Sequence, residues 1–222
     1  MHPDEYAKMY RQESSYWWFQ GRKDLLVSLL EDLAKENNIN PSSHVIDLGC
    51  GTGLVRAGVE NLPLADESAD LAVALDLAEH IPDDTRLFSE IHRILKPGGQ
   101  AILTVPAHPF LWSDHDAALY HQRRYRKQEL RQKLEESGLR IERMTYCISA
   151  TFPLIVGFRL LQRAWQALFR KPNQPQTHLI MLPQWLNTLL RMTVQVESHL
   201  LRYMNLPFGV TFLVQASRPQ AQ

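Results

Sequence analysis

Apolar and polar positions alternate along this chain in two rhythms. Between residues 14 and 36, Trp17, Leu25, Leu29 and Leu33 recur at helical spacing, and Leu26 and Leu30 widen the stripe, which predicts a helix. A shorter helix is expected over 4–12, and the turn formers of "ENNINPSS" close this N-terminal part. "HVIDLG" is a short buried-strand candidate that runs into glycines. "ADLAVALDL", 69–77, is too short and too continuous for an amphipathic surface helix, so it predicts a buried parallel strand. "DDTRLFSEIHRIL" sets Leu87, Ile91 and Ile94 or Leu95 on one helical face with acids in its first turn, and "KPGG" is expected to end it. "QAILTVPA" predicts a third strand. "KQELRQKLEES" followed by Gly138 predicts a helix with a glycine stop. "RIERMTYCI" alternates as a half-exposed strand, and "VTFLVQAS", 210–217, is the expected last strand.

Alternation of strand and helix argues for an α/β fold with a mostly parallel sheet. One segment, between Cys147 and Gly209, differs in character. Leu154, Phe158, Leu161, Trp165 and Leu168 form an apolar stripe, with Arg159, Gln162, Arg163, Gln166 and Arg170 off it. A second helix, about 183–204, places Leu186, Leu189, Thr193, Val196 and Leu200 on one face. These stripes either pack on the sheet or form a basic amphipathic surface for a membrane or a lipid-linked, anionic substrate. The division expected is an N-terminal helical segment (1–40), a core (41–149), an amphipathic helical insertion (150–206) and a final strand with tail (207–222).

Composition sets limits on this picture. At 222 residues and 45% hydrophobic, the chain can fill a substantial core. Its formal net charge of 0 gives no global reason to expect nucleic acid as a partner. That neutrality hides an asymmetry: residues 149–222 carry +6 and the remainder −6, with Glu197 the sole acid of the C-terminal third. Cys50 and Cys147 form no CxxC pair and no disulfide framework, which points to a reducing cytoplasm. The start, "MHPDEYAKMYRQE", does not read as a signal peptide, and no run reaches the ~18 apolar residues of a spanning helix. The expected location is cytoplasmic, with peripheral contact to the inner face of the membrane through 150–206.

The chemistry centres on "VIDLGCGTG". Gly49, Gly51 and Gly53 fall at every second position after an apolar strand with an internal acid, Asp47. Glycine lets the backbone turn sharply and a ligand come close. A dinucleotide fingerprint would need glycine at 54, where Leu54 stands, and a phosphate-cradling G-K-[ST] is absent.

"VIDLGCGTG", then "LPLADESADLAVALDLAEHI", then "EIHRILKPGGQAILTVPA" resembles the class I S-adenosylmethionine-dependent methyltransferases, of methyltransferase type 11. "SSYWWFQGRKDLL", "HPFLWSDHDAALYHQRRYRKQEL" and "NLPFGVTFLV" resemble a bacterial subgroup of the same family. The resemblance implies a Rossmann-like sheet and S-adenosylmethionine as cofactor, with the loop under its amino-acid end and Asp47 meeting its ammonium group. The implied cofactor set is Asp47, Gly49, Cys50, Gly51, Thr52 and Gly53, with Glu60, Asp76 and Leu77 downstream.

The chain departs from that pattern just after the loop. Only residues 54–69 separate Gly53 from Asp70, whereas one βαβ unit takes about 30 residues. The second and third strands of the family sheet and their helices do not fit. The expectation is a shortened sheet of about five strands, as if a block were deleted near Leu54 to Val59, with the glycine-loop strand joined directly to "DLAVALD" and left as an exposed edge. "LVRAGVENL" supplies one or two helical turns of the connection. Asp76 then stands at a strand end facing the cofactor crevice, as a stand-in for the missing ribose acid, and Glu60 is a poorly phased substitute for the adenine contact.

His80, in "DLAEHI", is the candidate general base, placed where open sheets bind ligands, or else a helix cap or packing residue. Asp76, Glu79 and His80 also resemble the D/E-x-x-E-H stretch of ubiquinone-pathway O-methyltransferases, which can bind a divalent metal, yet no metal is expected here. His115, His121 and Tyr125 are candidates for an acceptor pocket, together with Asp114 and Asp116, whose spacing fits no standard metal motif. Arg123, Arg124, Arg126 and Lys127 meet a phosphate or carboxylate, or form a solvated turn. Trp17 and Trp18 cap the cofactor site or pack the core. The expected function is methyl transfer to a small or lipid-linked acceptor; the alternative is a catalytically impaired relative that acts as a binding or membrane-associated module.

Overall fold

The computed structural model describes residues 15–36, 39–40, 42–49, 62–169 and 182–220. Helix α1 spans Trp17–Glu36, and strands β1 (Val45–Leu48) and β2 (Ala69–Leu75) follow. A short 3-10 turn, Ala78–His80, leads into α2 (Asp84–Ile94) and β3 (Leu95–Pro106). A second such turn, Pro109–Leu111, and α3 (Asp114–Ala118) precede α4 (Lys127–Glu136) and β4 (Arg140–Cys147). Helices α5 (Phe152–Phe169) and α6 (Gln184–Leu201) come before the closing strand β5 (Thr211–Ser217). The expected helix over 4–12 and the expected turns within 54–61 lie outside the described residues.

The five strands lie in the order β1-β2-β3-β5-β4. β1, β2 and β3 are mutually parallel, and β5 runs antiparallel to both of its neighbours, β3 and β4. Four strands therefore share one direction, the mostly parallel sheet expected. β1 pairs directly with β2, Val45 opposite Leu71 and Asp47 opposite Val73, so the short connection joins neighbouring strands. Val45 is exposed at that edge. The other edge, β4, is covered at its end by a bridge between Tyr146 and Leu206 and by Arg143, which donates to the carbonyls of Leu201 and Met204.

The period-2 alternation of the strands divides the core between two faces. Ala72 and Ala74 of β2, Leu103 and Val105 of β3, and Phe212 and Val214 of β5 meet Leu87, Phe88 and Ile91 of α2 and Leu130 of α4. Leu71, Val73, Ile102 and Leu213 face the other way, onto Trp17, Leu25 and Leu29 of α1 and Val194 and Leu201 of α6. The result is a three-layer sandwich, with α1 and α6 packed side by side on one face.

The helix stops where "KPGG" is expected to end it, and the packing decides between the two readings of the α5 stripe. "KPGG" does not separate helix from strand: α2 ends at Ile94, Leu95 is already extended, and β3 runs through the motif. The register slips there, between Ala69 and Leu71 of β2, and Gly98 sits at φ +82°. A Cβ at Gly99 would stand 2.9 Å from the Lys96 carbonyl oxygen, so the glycines permit the bulge. The apolar stripe of α5 does not pack on the sheet either. Leu154, Phe158, Leu161, Trp165 and Leu168 are exposed, while Phe152, Ile155 and Val156 pack inward. On α6, likewise, Leu189, Val196 and Leu200 are exposed and Val194, Glu197 and Leu201 are buried.

Candidate active site

Parallel strands bring their C-terminal ends to one side of the sheet, where open α/β folds hold ligands. Here β1 runs into Gly49, β2 into Asp76 and β3 into His108. Gly49 adopts φ +85°, and a Cβ on it would lie 3.1 Å from the Leu77 side chain. The left-handed turn favours glycine, and a Cβ there would press on the Leu77 side chain. Asp47, two residues earlier, is exposed at the β1 edge. Cys50, Gly51, Thr52, Gly53 and Glu60 lie outside the described residues. Asp76 and His108 also take positive φ, +47° and +62°, and such left-handed conformations of non-glycine residues concentrate at functional sites.

Asp76 is engaged by the protein itself. Its carboxylate pairs with the Arg22 guanidinium of α1, and Thr104 Oγ1 donates to its Oδ1 at 3.0 Å. Arg22 Nη2 also donates to Thr104 Oγ1 at 3.2 Å. Burial works against the Arg22 charge, yet Asp76 outweighs it and the guanidinium pKa is raised. The acid expected to face the crevice as a ribose ligand therefore spends both oxygens on Arg22 and Thr104.

A second cluster forms beside it. Glu79 is 1% exposed, and neither of its carboxylate oxygens has a hydrogen-bond partner among the described residues. Burial first, and then the neighbouring Asp76, push its carboxyl well above the usual range. The His80 and His121 rings meet edge to face at 4.7 Å between centroids. Ligand atoms of Glu79, His80 and His121 lie within 4.8 Å of one another, a set able to gather a divalent cation or the polar atom of a bound molecule. The Gln122 N–H donates to the Glu79 carbonyl at 2.6 Å, pinning the loop that carries His121 to the turn that carries His80.

His121 is oriented from behind. Its Nδ1 lies 3.1 Å from Asp116 Oδ1, which also accepts from Arg124 Nε at 2.7 Å. Asp116 Oδ2 accepts from the Ser113 N–H and hydroxyl. Burial opposes the Asp116 charge, but His121 and Arg124 outweigh it and hold the carboxyl well below its usual range. Burial pushes His80 down to about 4, with His121 adding to the effect. It does the same to His115, also down to about 4, with Asp116 opposing. Both imidazoles are therefore neutral near pH 7 and weaker bases than an exposed histidine.

Other candidates take different places. Tyr125 is fully buried, and its hydroxyl donates to Asp84 Oδ2 at 2.8 Å. It packs the core under the loop and does not line an acceptor pocket. Trp17 is buried against α6, where its backbone N–H donates to Asn187 Oδ1 at 2.8 Å. Trp18 is half-buried with the Arg22 guanidinium 5.9 Å from its ring centroid, which sets it beside the Arg22–Asp76 pair. The basic run meets carboxylates of this same chain: Arg123 pairs with Asp84 and Arg124 with Asp116. The sequence reading missed Arg22. Its signal was a charge at helical spacing between Trp18 and Leu25 and Leu26, inside the apolar stripe, where only a buried partner makes it tolerable.

Comparison with known proteins agrees with this layout. Residues 32–103 match the model of a methyltransferase domain. An uncharacterized methyltransferase of Mycobacterium sp. (strain KMS) is 38% identical over 89 residues, 39% of this chain and 32% of that protein. An S-adenosylmethionine-dependent methyltransferase homologue of Mycolicibacterium smegmatis is 34% identical over 83 residues, 36% of this chain and 32% of its own length. The chain thus spans about a third of the length of the curated relatives it matches. Among solved structures, a chain from the Haloferax volcanii complex of the Trm112 methyltransferase activator with a methyltransferase partner superposes with a TM-score of 0.56 at 16% identity, covering 99% of this chain and 96% of that one. An S-adenosylmethionine-dependent methyltransferase from Thermotoga maritima gives 0.52 at 13% identity, covering 97% and 95%. These two show the fold. In the glycine loop, the strand order and the domain matched over residues 32–103, the chain is similar to S-adenosylmethionine-dependent methyltransferases.

Proposed function

We propose that this chain binds S-adenosylmethionine at the exits of β1 and β2 and transfers its methyl group to a small or lipid-linked acceptor. The observation that carries the reading is Gly49, a left-handed glycine fitted against Leu77 at the end of a strand that carries an exposed Asp47. An exposed carboxylate beside an open backbone turn suits the cationic amino-acid end of that cofactor. When bound, the cofactor supplies an activated methyl on a sulfonium.

The protein's share of such a reaction is mostly placement. His80 and His121 stand beside Asp76 at the strand exits, where an acceptor's polar atom would sit. His80 is placed to take the acceptor's proton in this reading, although burial, which pushes it down to about 4, makes it a weak base until a ligand changes its surroundings, and Asp116 fixes the His121 ring. Leu77 walls the side toward Gly49.

One observation favours a second reading, a relative that binds without catalysis. Asp76 is tied to Arg22 and Thr104, which leaves no free acid at the end of β2 for ribose hydroxyls. Titration calorimetry with S-adenosylhomocysteine separates the two. Micromolar binding that weakens at least about tenfold in Asp47→Ala is expected, as for loss of a charge-assisted contact of about 1.5–3 kcal/mol. Binding that is absent or only millimolar overturns the enzyme reading and leaves the binding module.

A further inference from the structure

We propose that Glu79, His80 and His121 bind a divalent cation of the zinc class between the exit of β2 and the loop after α3. Ligand atoms of the three side chains lie within 4.8 Å of one another. Ligands about 2.1 Å from one tetrahedral ion stand roughly 3.4 Å apart, so small side-chain rotations close this set on a metal. The backbone holds its two halves together. Glu79 and His80 share the 3-10 turn Ala78–His80, and the Gln122 N–H, next to His121, donates to the Glu79 carbonyl at 2.6 Å.

Glu79 calls for a cation. A carboxylate buried this deeply normally has a partner, yet neither of its oxygens has one among the described residues. The nearby guanidiniums are committed elsewhere: Arg22 pairs with Asp76 and Arg124 with Asp116. Protonation would not satisfy the group, because its hydroxyl would still lack an acceptor. Neither oxygen is open to water. A bare metal ion is smaller than a water molecule and fits there, whereas an organic ammonium group would need the turn to open.

The histidines select the kind of ion. Asp116 is fully buried, and its Oδ1 lies 3.1 Å from His121 Nδ1. Paired with Arg124, that carboxylate only accepts, so the proton stays on Nδ1 and Nε2 keeps its lone pair for a ligand. The His80 ring meets the His121 ring edge to face, which brings both imidazoles to the space beside Glu79. Two imidazoles and one carboxylate suit zinc, cobalt, nickel or ferrous iron, while magnesium and calcium take oxygen ligands. Asp76, the first acid of the D/E-x-x-E-H stretch, stays outside the set, since Arg22 and Thr104 hold its carboxylate. The third ligand, His121, comes from a loop beyond that stretch.

Metal binding stands apart from methyl transfer. A neutral His80 has one lone pair to give, so it serves as a ligand or as a proton acceptor, not as both. In a working methyltransferase the cation would hold and polarise the acceptor's polar atom.

Titration of the full chain, first stripped of metal with a chelator and dialysed, tests the proposal. Calorimetry should show one zinc ion per chain with a Kd of about 1 μM or below, far tighter than for magnesium. Cobalt(II) should develop visible ligand-field bands that zinc abolishes. Zinc affinity should fall at least about a hundredfold in Glu79→Gln and in His121→Ala, and about ten- to a hundredfold in Asp116→Asn, which keeps all three ligands. It should be unchanged in His199→Ala, whose imidazole is exposed on α6. Circular dichroism would confirm that the variants fold, and Glu79→Gln, which removes a buried charge, decides the matter should His121→Ala unfold. No zinc binding up to about 100 μM, wild-type affinity in Glu79→Gln, or tighter binding of magnesium than of zinc overturns the proposal. S-adenosylhomocysteine binding is measured separately in metal-chelated buffer, so failure of either reading leaves the other standing.

Discussion

The guanidinium of Arg22 and the carboxylate of Asp76 join an N-terminal helix to the exit of the central parallel strand. Both side chains are largely buried, and Thr104 bridges them. Removing one member leaves the other desolvated and unpaired. Asp76→Asn should cost about 2–4 kcal/mol in urea unfolding, and the Arg22→Gln, Asp76→Asn double variant should cost less than the sum of the single ones. Additive costs would show that the pair is not coupled. If Asp76 also reads a ribose, Asp76→Asn weakens S-adenosylhomocysteine binding; unchanged affinity removes that role.

Much of the fold was legible because strand alternation maps straight onto burial. Leu71 and Val73 go to one face of the sheet and Ala72 and Ala74 to the other, so "ADLAVAL" had to be a central strand covered on both sides. The direct pairing of β1 with β2 followed from chain length alone. The faces of α5 and α6 were not legible, since an apolar stripe signals burial against something without saying what. The site was legible in pieces. Glu79 and His80 were visible beside a strand end, but their meeting with His121 depends on a backbone bond from Gln122 to Glu79 that no spacing rule encodes. Tyr125 looked accessible because an aromatic between arginines gives no sign that its hydroxyl is aimed inward at Asp84.

Cys147, at the end of β4, is fully buried, and burial pushes its thiol far up, against the nearby Arg22. Thiolate is the reactive form, so this cysteine should be inert in the folded protein. Iodoacetamide at neutral pH should leave the Cys147 peptide unmodified by mass spectrometry and modify it once urea unfolds the chain. Equal labelling in both states would mean that β4 opens readily.

Glu79 should make the protein less stable as pH rises above the ordinary carboxylate range. Its folded carboxyl keeps a proton more readily than the unfolded one, whose pKa is about 4.3. The folded state therefore holds more protons above that pH and loses stability as pH rises until the folded group ionises. In metal-chelated buffer, Glu79→Gln should raise stability at pH 7.5 by about 1–3 kcal/mol, the scale of an unsatisfied buried polar group. The gain should shrink toward pH 4, where the wild-type carboxyl is protonated in both states. A gain that is equal at both pH values would assign the effect to packing.

Glu197 holds the start of the helical insertion. From α6 it accepts the backbone N–H groups of Ile148, Ser149 and Ala150, just where Ile148 turns through φ +59° to leave β4. Burial raises its carboxyl, while the three backbone donors pull it back down. Glu197→Ala would orphan three amides and remove the carboxylate that ties α6 to this turn. The cost should reach about 3 kcal/mol, with Glu197→Gln intermediate because it keeps one acceptor oxygen. Hydrogen exchange localises the effect: amides 148–150 should lose protection in Glu197→Ala, while β3 and β5 in the centre of the sheet keep theirs. Unchanged protection at 148–150 would mean that the turn holds its shape without the carboxylate, through packing such as that of Ile148 with Val194 and Leu201.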